Sequence, residues 1–544
     1  MEELFTSPEL RRESLSSKAD VVITNARIFT SDENNPTADA VAIKGNRILY
    51  VGNNDHAEKL CDEHTRIIDG RARTLTAGFI DTHVHLLSGA TWMGYAELRE
   101  AHTKADLKRI LQDYATRNTS ESWIIGWRIQ YNVISTRHEL DEIIADRPVY
   151  IRAADAHTAW ANTKALELAG ILKEGKEIGP FGVVVRDENG LATGELRETD
   201  AMKAVLDFIP PPSEAYVRDQ LKLAVQEFNK TGITSIHNMN GDMHDLMVYA
   251  AAEDAGELNL RVYVPYWVKP EAQEADLQEA AVMTKIQGDF VRGGAVKFFM
   301  DGVWESYTAF NIEPYADDLN IKVEPIFSLE HFTRMAAACD KMGLQIAVHC
   351  CGDGAVRQTL DGYEAVQKTN GRRDSRHRIE HVEVCQPEDM PRFKELGVIA
   401  SIQPSHALLK LDNADIGQTR LGKKRWPFWQ AWRDLKNVGA TLSLGSDWTV
   451  VPFDPMTHIY VALNREKFSP ESSDQCLTLE ECIIGYTRDA AYVEFKENEK
   501  GQIKEGYLAD LVLFSHDLFQ VRPEDIMTAK PVLTMIDGRI VYEA

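Results

Sequence analysis

The sequence predicts an α/β protein: a (β/α)8 barrel joined to a small β-sandwich made from both chain ends, with a large insertion after the first barrel strand. Three observations carry this. Residues 75–85, LTAGFIDTHVH, form a short apolar run ending in two histidines one residue apart. From residue 232 onward, seven more strand-like runs follow, most of them separated by helix-like segments. Both ends of the chain are β-rich, whereas the middle alternates.

At the N-terminus, VVITNARIF, AVAIKGNRILYVG and TRIIDG are short β-rich runs broken by Asn, Asp and Gly. ADLVLFS at 509–515 and PVLTMIDGRIVYEA at 531–544 match them at the other end. Residues 1–74 and 500–544 are therefore expected to form one composite sandwich, leaving 75–499 for the barrel. The run 75–85 is expected to be a single buried strand. Because residues two apart in a strand share a face, His83 and His85 can present their rings side by side. Residues 96–212 are too long for one barrel connection. They read mostly as helix and loop, with strand-like pieces at 123–129 and 149–153, and are expected to cover the barrel mouth.

The alternation then runs through GITSIH (232–237), LRVYVPYW (260–267), AVKFF (295–299), QIAVHC (345–350), RIEHVE (378–383), VIASIQ (398–403) and TLSLGSD (441–447). Helix-like segments fall at 213–230, 329–342, 355–369 and 387–396. With the histidine-bearing strand first, this gives the TIM-like (β/α)8 barrel, whose reactive groups sit at the C-terminal strand ends.

Composition narrows the class. A chain of 544 residues with 44% hydrophobic content can bury a large core, and a net charge of −24 opposes nucleic acid or anionic membrane as main partner. The first twenty residues contain no apolar run of signal-peptide length, and no later run reaches the roughly 18 apolar residues of a membrane span. Seven cysteines without a CxxC pair read as reduced thiols. A soluble cytoplasmic enzyme is expected, and a homo-oligomer is left open.

The expected strand ends carry His83 and His85, Lys297, His349, His381 and Asp447. Singly, each has a plain structural explanation: a satisfied core histidine, a lysine snorkelling to solvent, an aspartate capping the next helix. Together they bring imidazole, amine and carboxylate to one rim, a set suited to zinc and neighbouring divalent ions.

FIDTHVH, AVKFF, IAVHC, IEHVE and GSDW, in that order, resemble the metal-dependent amidohydrolase superfamily. AHTAWANTKAL at 156–166, TGELRE at 193–198 and AVKFFMDG at 295–302 resemble its YtcJ-like branch, which includes N-substituted formamide deformylase. The resemblance implies that His83, His85 and Asp447 hold one metal ion and His349 and His381 a second. Lys297 would bridge them as an N6-carboxylated (carbamate) side chain. The chemistry agrees, since an ammonium has no lone pair for a cation whereas a carbamate offers two oxygens. An unmodified Lys297 would favour a single ion. The chain departs from the family pattern at HCCGDGAV (349–356), where an arginine is missing.

A cation bound by neutral imidazoles brings the pKa of its water to roughly 7, so the expected nucleophile is metal-activated hydroxide. Asp447 would move the proton to the leaving amine of a small amide-like substrate. By resemblance His157, Trp160, Glu198 and His237 are expected to contact substrate, His237 as an oxyanion or substrate contact because it ends strand two beside the site; Gln403 and His406 follow strand seven and are also expected to face the pocket. A Cys350–His349 nucleophile pair is disfavoured because adjacent strand residues face opposite sides. Metal-dependent isomerase or lyase chemistry, or a non-catalytic regulatory role, are the alternatives.

Overall fold

The computed structural model describes residues 18–544 except 120, 155, 174, 176, 180, 408–415, 469 and 471; most of the N-terminal stretch considered for a signal peptide lies outside the described residues. Eight parallel strands form the central sheet, β1 (Phe79–Val84), β2 (Ile233–Asn238), β3 (Arg261–Trp267), β4 (Val291–Phe299), β5 (Gln345–Cys350), β6 (Arg378–His381), β7 (Ile399–Ile402) and β8 (Thr441–Leu444), each paired with the next. The seam between β8 and β1 is closed by loop contacts. Thr82 Oγ1 donates to the Leu444 carbonyl at 3.0 Å, Val84 bridges Trp448, and the Asp447 amide donates to the His83 carbonyl at 2.7 Å. This is the TIM-like barrel. Strands six to eight end earlier than expected, so Glu383, Gln403 and Asp447 lie in loops.

The expected single strand at 75–85 is two strands. Thr74–Ala77 pairs Leu75 with Leu513 of Leu511–Phe514 and with Ile28 of Arg27–Phe29, whereas Phe79–Val84 enters the barrel. Both halves are buried throughout, so hydrophobic pattern alone cannot reveal the break. It falls at Gly78, where a Cβ would lie 2.3 Å from the Thr234 side chain. Thr74–Ala77 belongs to a six-stranded sheet that also holds Pro531–Ile536 and Arg539–Glu543. A four-stranded sheet from residues 21–69 packs Ile23, Val41 and Ile43 against its Leu75, Leu511 and Met535.

The insertion has strands at both expected pieces, Ile124–Ile129 and Val149–Ala153, but holds more strand than expected elsewhere. It contains a six-stranded sheet in the order Val183–Arg186, Ala192–Arg197, Thr158–Ala161, Val149–Ala153, Ile124–Ile129 and Ala96–Glu97. Pieces such as TAWA and ATGELR are too short or too polar to show a strand period on their own; pairing with neighbours makes them strands. This unit has its own core, including Leu107, Leu111, Ile151 and Trp160. It is tied to the barrel mouth by Arg128 Nε on the Thr449 carbonyl (3.1 Å) and Arg152 Nη2 on Thr449 Oγ1 (3.0 Å). Among the described residues, no helix is long and apolar enough to cross a membrane.

Helices cover the barrel's outside, and two of them begin at a serine cap. Ser213 caps Glu214–Lys230 and Ser328 caps Leu329–Lys341, their hydroxyls accepting from the Tyr216 and His331 amides. A buried ion pair joins barrel to sandwich. Arg261 at the start of β3 donates to both Asp510 oxygens (2.7 and 3.1 Å) and to Asp537 (3.1 Å). Removing one partner strands a buried charge. Asp510→Ala is expected to lower unfolding free energy by about 3 kcal/mol, read as a shift of the urea midpoint; a change below about 0.5 kcal/mol would show that the joint contributes nothing.

Candidate metal centre

At the C-terminal end of the barrel, a cavity of about 700 Å³ has His83, His85, His349, His381 and Asp447 in its lining. Ligand atoms of His83, His381 and Asp447 all lie within 4.8 Å of one another. His85 Nε2 is 3.0 Å from Asp447 Oδ1, and the His349 ring centroid is 4.4 Å from that of His381. The structure thus brings five of the six expected donors to one cavity, while Lys297 is buried outside its lining; the tightest trio mixes residues that the resemblance assigns to different ions.

Three of the rings have their Nδ1 or Nε2 fixed by a hydrogen bond to a carboxylate or a backbone carbonyl. His83 Nδ1 donates to Glu380 Oε2 at 2.7 Å, His85 Nδ1 to the Met239 carbonyl at 3.3 Å, and His349 Nε2 to the Gly302 carbonyl at 3.1 Å. His83 and His349 then keep a lone pair at the opposite nitrogen, whereas His85 Nε2 faces Asp447 Oδ1 at hydrogen-bond distance. His381 Nδ1 and Lys297 Nζ are buried and make no hydrogen bond among the described residues. Several imidazoles, a carboxylate and the orphaned His381 nitrogen in one cavity fit a divalent cation.

Two donors depend on strained backbone. Arg378 and Glu380 point into the barrel and Ile379 into the outer core, so simple alternation would turn His381 outward. Its φ of 74°, followed by 47° at Val382, ends the strand and re-aims the ring. Asp447 has φ 61°. Such left-handed residues cost about 1–3 kcal/mol each and persist where surrounding contacts hold them. Asp81 is one such hold, its Oδ1 accepting from the His83 and Ser446 amides at 3.1 and 2.9 Å. Asp301 accepts from the Cys351, Gly352 and Phe310 amides at 2.8–3.0 Å and fixes the loop after His349. Neither aspartate was singled out from the sequence, although both sit inside the quoted motifs.

Burial drives most of the electrostatics. It pushes His83 down to about 4 and holds His349 and His381 well below the ordinary histidine range. It also pushes the Lys297 ammonium down to about 8. Burial alone would raise Asp447, but the His83 and His85 imidazoles outweigh it and keep the carboxyl well below the usual range.

Of the expected substrate contacts, His157 lines the cavity, held by Glu198 at 2.9 Å, while Glu198 also accepts from Ser306 and Thr308 at 3.0 and 2.7 Å. Three expected contacts lie elsewhere. His237 sits inside the barrel, accepting at Nδ1 from Arg378 Nη1 at 2.7 Å, so it is not an oxyanion contact. Trp160 is packed in the insertion core against Tyr131. Gln403 is buried beside the cavity, and its neighbours Ser405 and His406 line the wall instead. His406 stacks on His381 with centroids 5.7 Å apart and lies 3.5 Å from Asp447. Cys350 turns away to Thr359, as alternation requires, but Cys351 lies 3.4 Å from His349 Nε2, and burial pushes both thiols up. The missing arginine has a steric reason: a Cβ at Gly354 would lie 2.9 Å from the Phe310 carbonyl.

Comparison with known proteins agrees with this geometry. The model of the Amidohydrolase family matches residues 66–542. The chain belongs to that family. This amidohydrolase is 30% identical to Protein LONG AFTER FAR-RED 3 of Arabidopsis thaliana, over 96% of the chain and 92% of that protein. It is 29% identical to the putative amidohydrolase YtcJ of Bacillus subtilis (95% and 98%) and 25% identical to N-substituted formamide deformylase of Arthrobacter pascens (97% and 99%). An uncharacterized metal-dependent hydrolase from Pyrococcus furiosus superposes with TM-score 0.72 at 25% identity, covering 93% of this chain and 99% of that one. Family and site together mark a metal-dependent hydrolase of small molecules.

His83, His237 and His458 are each pushed by burial from 6.5 to about 4. Between those values the unfolded chain binds protons that the folded chain excludes. Their contribution to stability is therefore full above about pH 6.5 and falls towards pH 4 by about 1.4 kcal/mol per unit for each group. Urea midpoints of metal-free protein should drop over that window. His458→Gln should flatten the slope, since His458 bonds to the Pro452 carbonyl and not to a candidate ligand; an unchanged slope would rule out its share.

Proposed function

We propose that this amidohydrolase cleaves the carbon–nitrogen bond of a small amide or formamide, passing the acyl group to water. The observation that supports this most is the convergence of His83, His381 and Asp447 within 4.8 Å in a cavity large enough for a small organic molecule. The named activity of the formamide deformylase relative points to the same kind of bond. A divalent cation, zinc first, would be held by His83, His85 and Asp447, with His349 and His381 holding a second, and supplies Lewis acidity and a more acidic water.

The remaining steps belong to the chain. Asp447 accepts the proton that water loses as its oxygen bonds to the acyl carbon. It returns that proton to nitrogen as the C–N bond breaks, giving a carboxylic acid and an amine. His157, held by Glu198, and His406, with Nδ1 3.6 Å from Glu383, face the cavity and can hydrogen-bond the acyl oxygen or the leaving nitrogen. Phe299, Trp429 and Val451 offer an apolar wall for the rest of the substrate.

In this scheme Lys297 would carry the carbamate that the resemblance implies and serve as an anionic oxygen ligand. Burial favours its neutral amine, which attacks carbon dioxide, forms an N–C bond and releases one proton. The product would exchange an amine that has no hydrogen bond among the described residues for an anion with two oxygens that can meet cations.

Purified protein should contain stoichiometric zinc, manganese or iron and hydrolyse members of an amide and N-formyl panel; protein that binds none of these ions and stays inert when they are added sinks the proposal. Labelled oxygen from water should enter the acid product, which separates hydrolysis from isomerase or lyase chemistry. Asp447→Asn is expected to cut turnover by about 10²–10⁴-fold with the fold intact by circular dichroism. Lys297→Ala should lose one ion; two ions and full activity in that variant would rule out the carbamate.

A further inference from the structure

Below the metal centre the barrel holds a polar column where a TIM barrel usually packs branched apolar side chains. Arg378 and Glu380, both fully buried, share the inner face of β6. Arg378 Nε donates to Glu380 Oε1 at 2.6 Å and Nη2 to Oε2 at 3.0 Å. The rest of the guanidinium is anchored from neighbouring strands: Nη2 to the Thr82 carbonyl at 2.7 Å and Ser401 Oγ at 3.2 Å, Nη1 to His237 Nδ1 at 2.7 Å. Glu380 Oε2 also accepts from His83 Nδ1 at 2.7 Å.

We infer that Glu380, clamped by Arg378, is a positioning residue: it sets the tautomer and orientation of His83, so metal affinity depends on a side chain that does not touch the ion. This rests on the metal-hydrolase function proposed above. A buried carboxylate is stable only with its charge partner and hydrogen bonds in place. Here the partner is held rigidly by β1, β2 and β7, leaving the carboxylate little freedom except to face His83. With Nδ1 occupied as donor, the His83 lone pair stays at Nε2, which lies 3.5 Å from Asp447 Oδ1. A merely space-filling ion pair would need no alignment with a ring nitrogen of another strand. The clamp also gives His237 a role: its Nδ1 accepts from Arg378, which explains why a histidine expected at the cavity is found beneath it.

The test is metal affinity, by chelator competition, together with the visible absorption of the cobalt-substituted protein, for wild type and Glu380→Gln. Glu380→Gln is expected to weaken zinc and cobalt binding by about 10–100-fold and to alter the cobalt spectrum. If wild type binds cobalt and Glu380→Gln binds within about twofold of it with the same spectrum, the positioning role is overturned while the hydrolase proposal stands; if wild type binds neither ion, both fall. Should Glu380→Gln not fold, Arg378→Gln/Glu380→Gln leaves no unpaired charge, and the same loss of affinity is expected of it.

Discussion

The hydrogen bond from the Asp447 amide to the His83 carbonyl is the contact on which the site depends. It lies at the seam where the eighth barrel strand returns to the first, and without closure there the carboxylate and the paired histidines would sit on separate edges of an open sheet. Closure has a local cost, seen in the left-handed backbone at Asp447. Asp81 offsets it by gathering amides from both sides of the seam. A metal site of this kind is a property of the closed barrel; no single strand contains it.

Around that seam, the chain solves two electrostatic problems in different ways. Imidazoles must stay neutral to bind a cation, and burial achieves this directly for His83, His349 and His381. Asp447 must stay ionised in the same buried place, and the neighbouring imidazoles achieve that. Beneath them Glu380 remains ionised because the Arg378 guanidinium outweighs its burial. The insertion adds a third layer, delivering His157 and Glu198 to the mouth and fastening them to the loop after β4 through Ser306 and Thr308.

Much of the fold and of the donor set was legible because chemistry and period coincide there. Seven later strand runs and the HxH sequence announce themselves by apolar period, and His, Lys and Asp at their ends are few enough to stand out. The contacts supplied from beside or below the cavity were less legible. His237 and Gln403 end strand-like runs just as the donors do, and nothing in a linear pattern says that one is drawn down to Arg378 and the other replaced at the wall by His406. Trp160 stands three residues after His157, yet strand pairing sends it into the insertion core.

By itself the sequence determined which elements form and which donor atoms are available, because propensity, alternation and side-chain chemistry act over a few residues. Only the tertiary structure decided where Gly78 divides one apolar run between two sheets, how His381 leaves the alternation of its strand, and which buried charges share a cavity. Those outcomes depend on contacts between residues hundreds of positions apart. Steric room, seam closure and mutual charge exist only once the layers have packed.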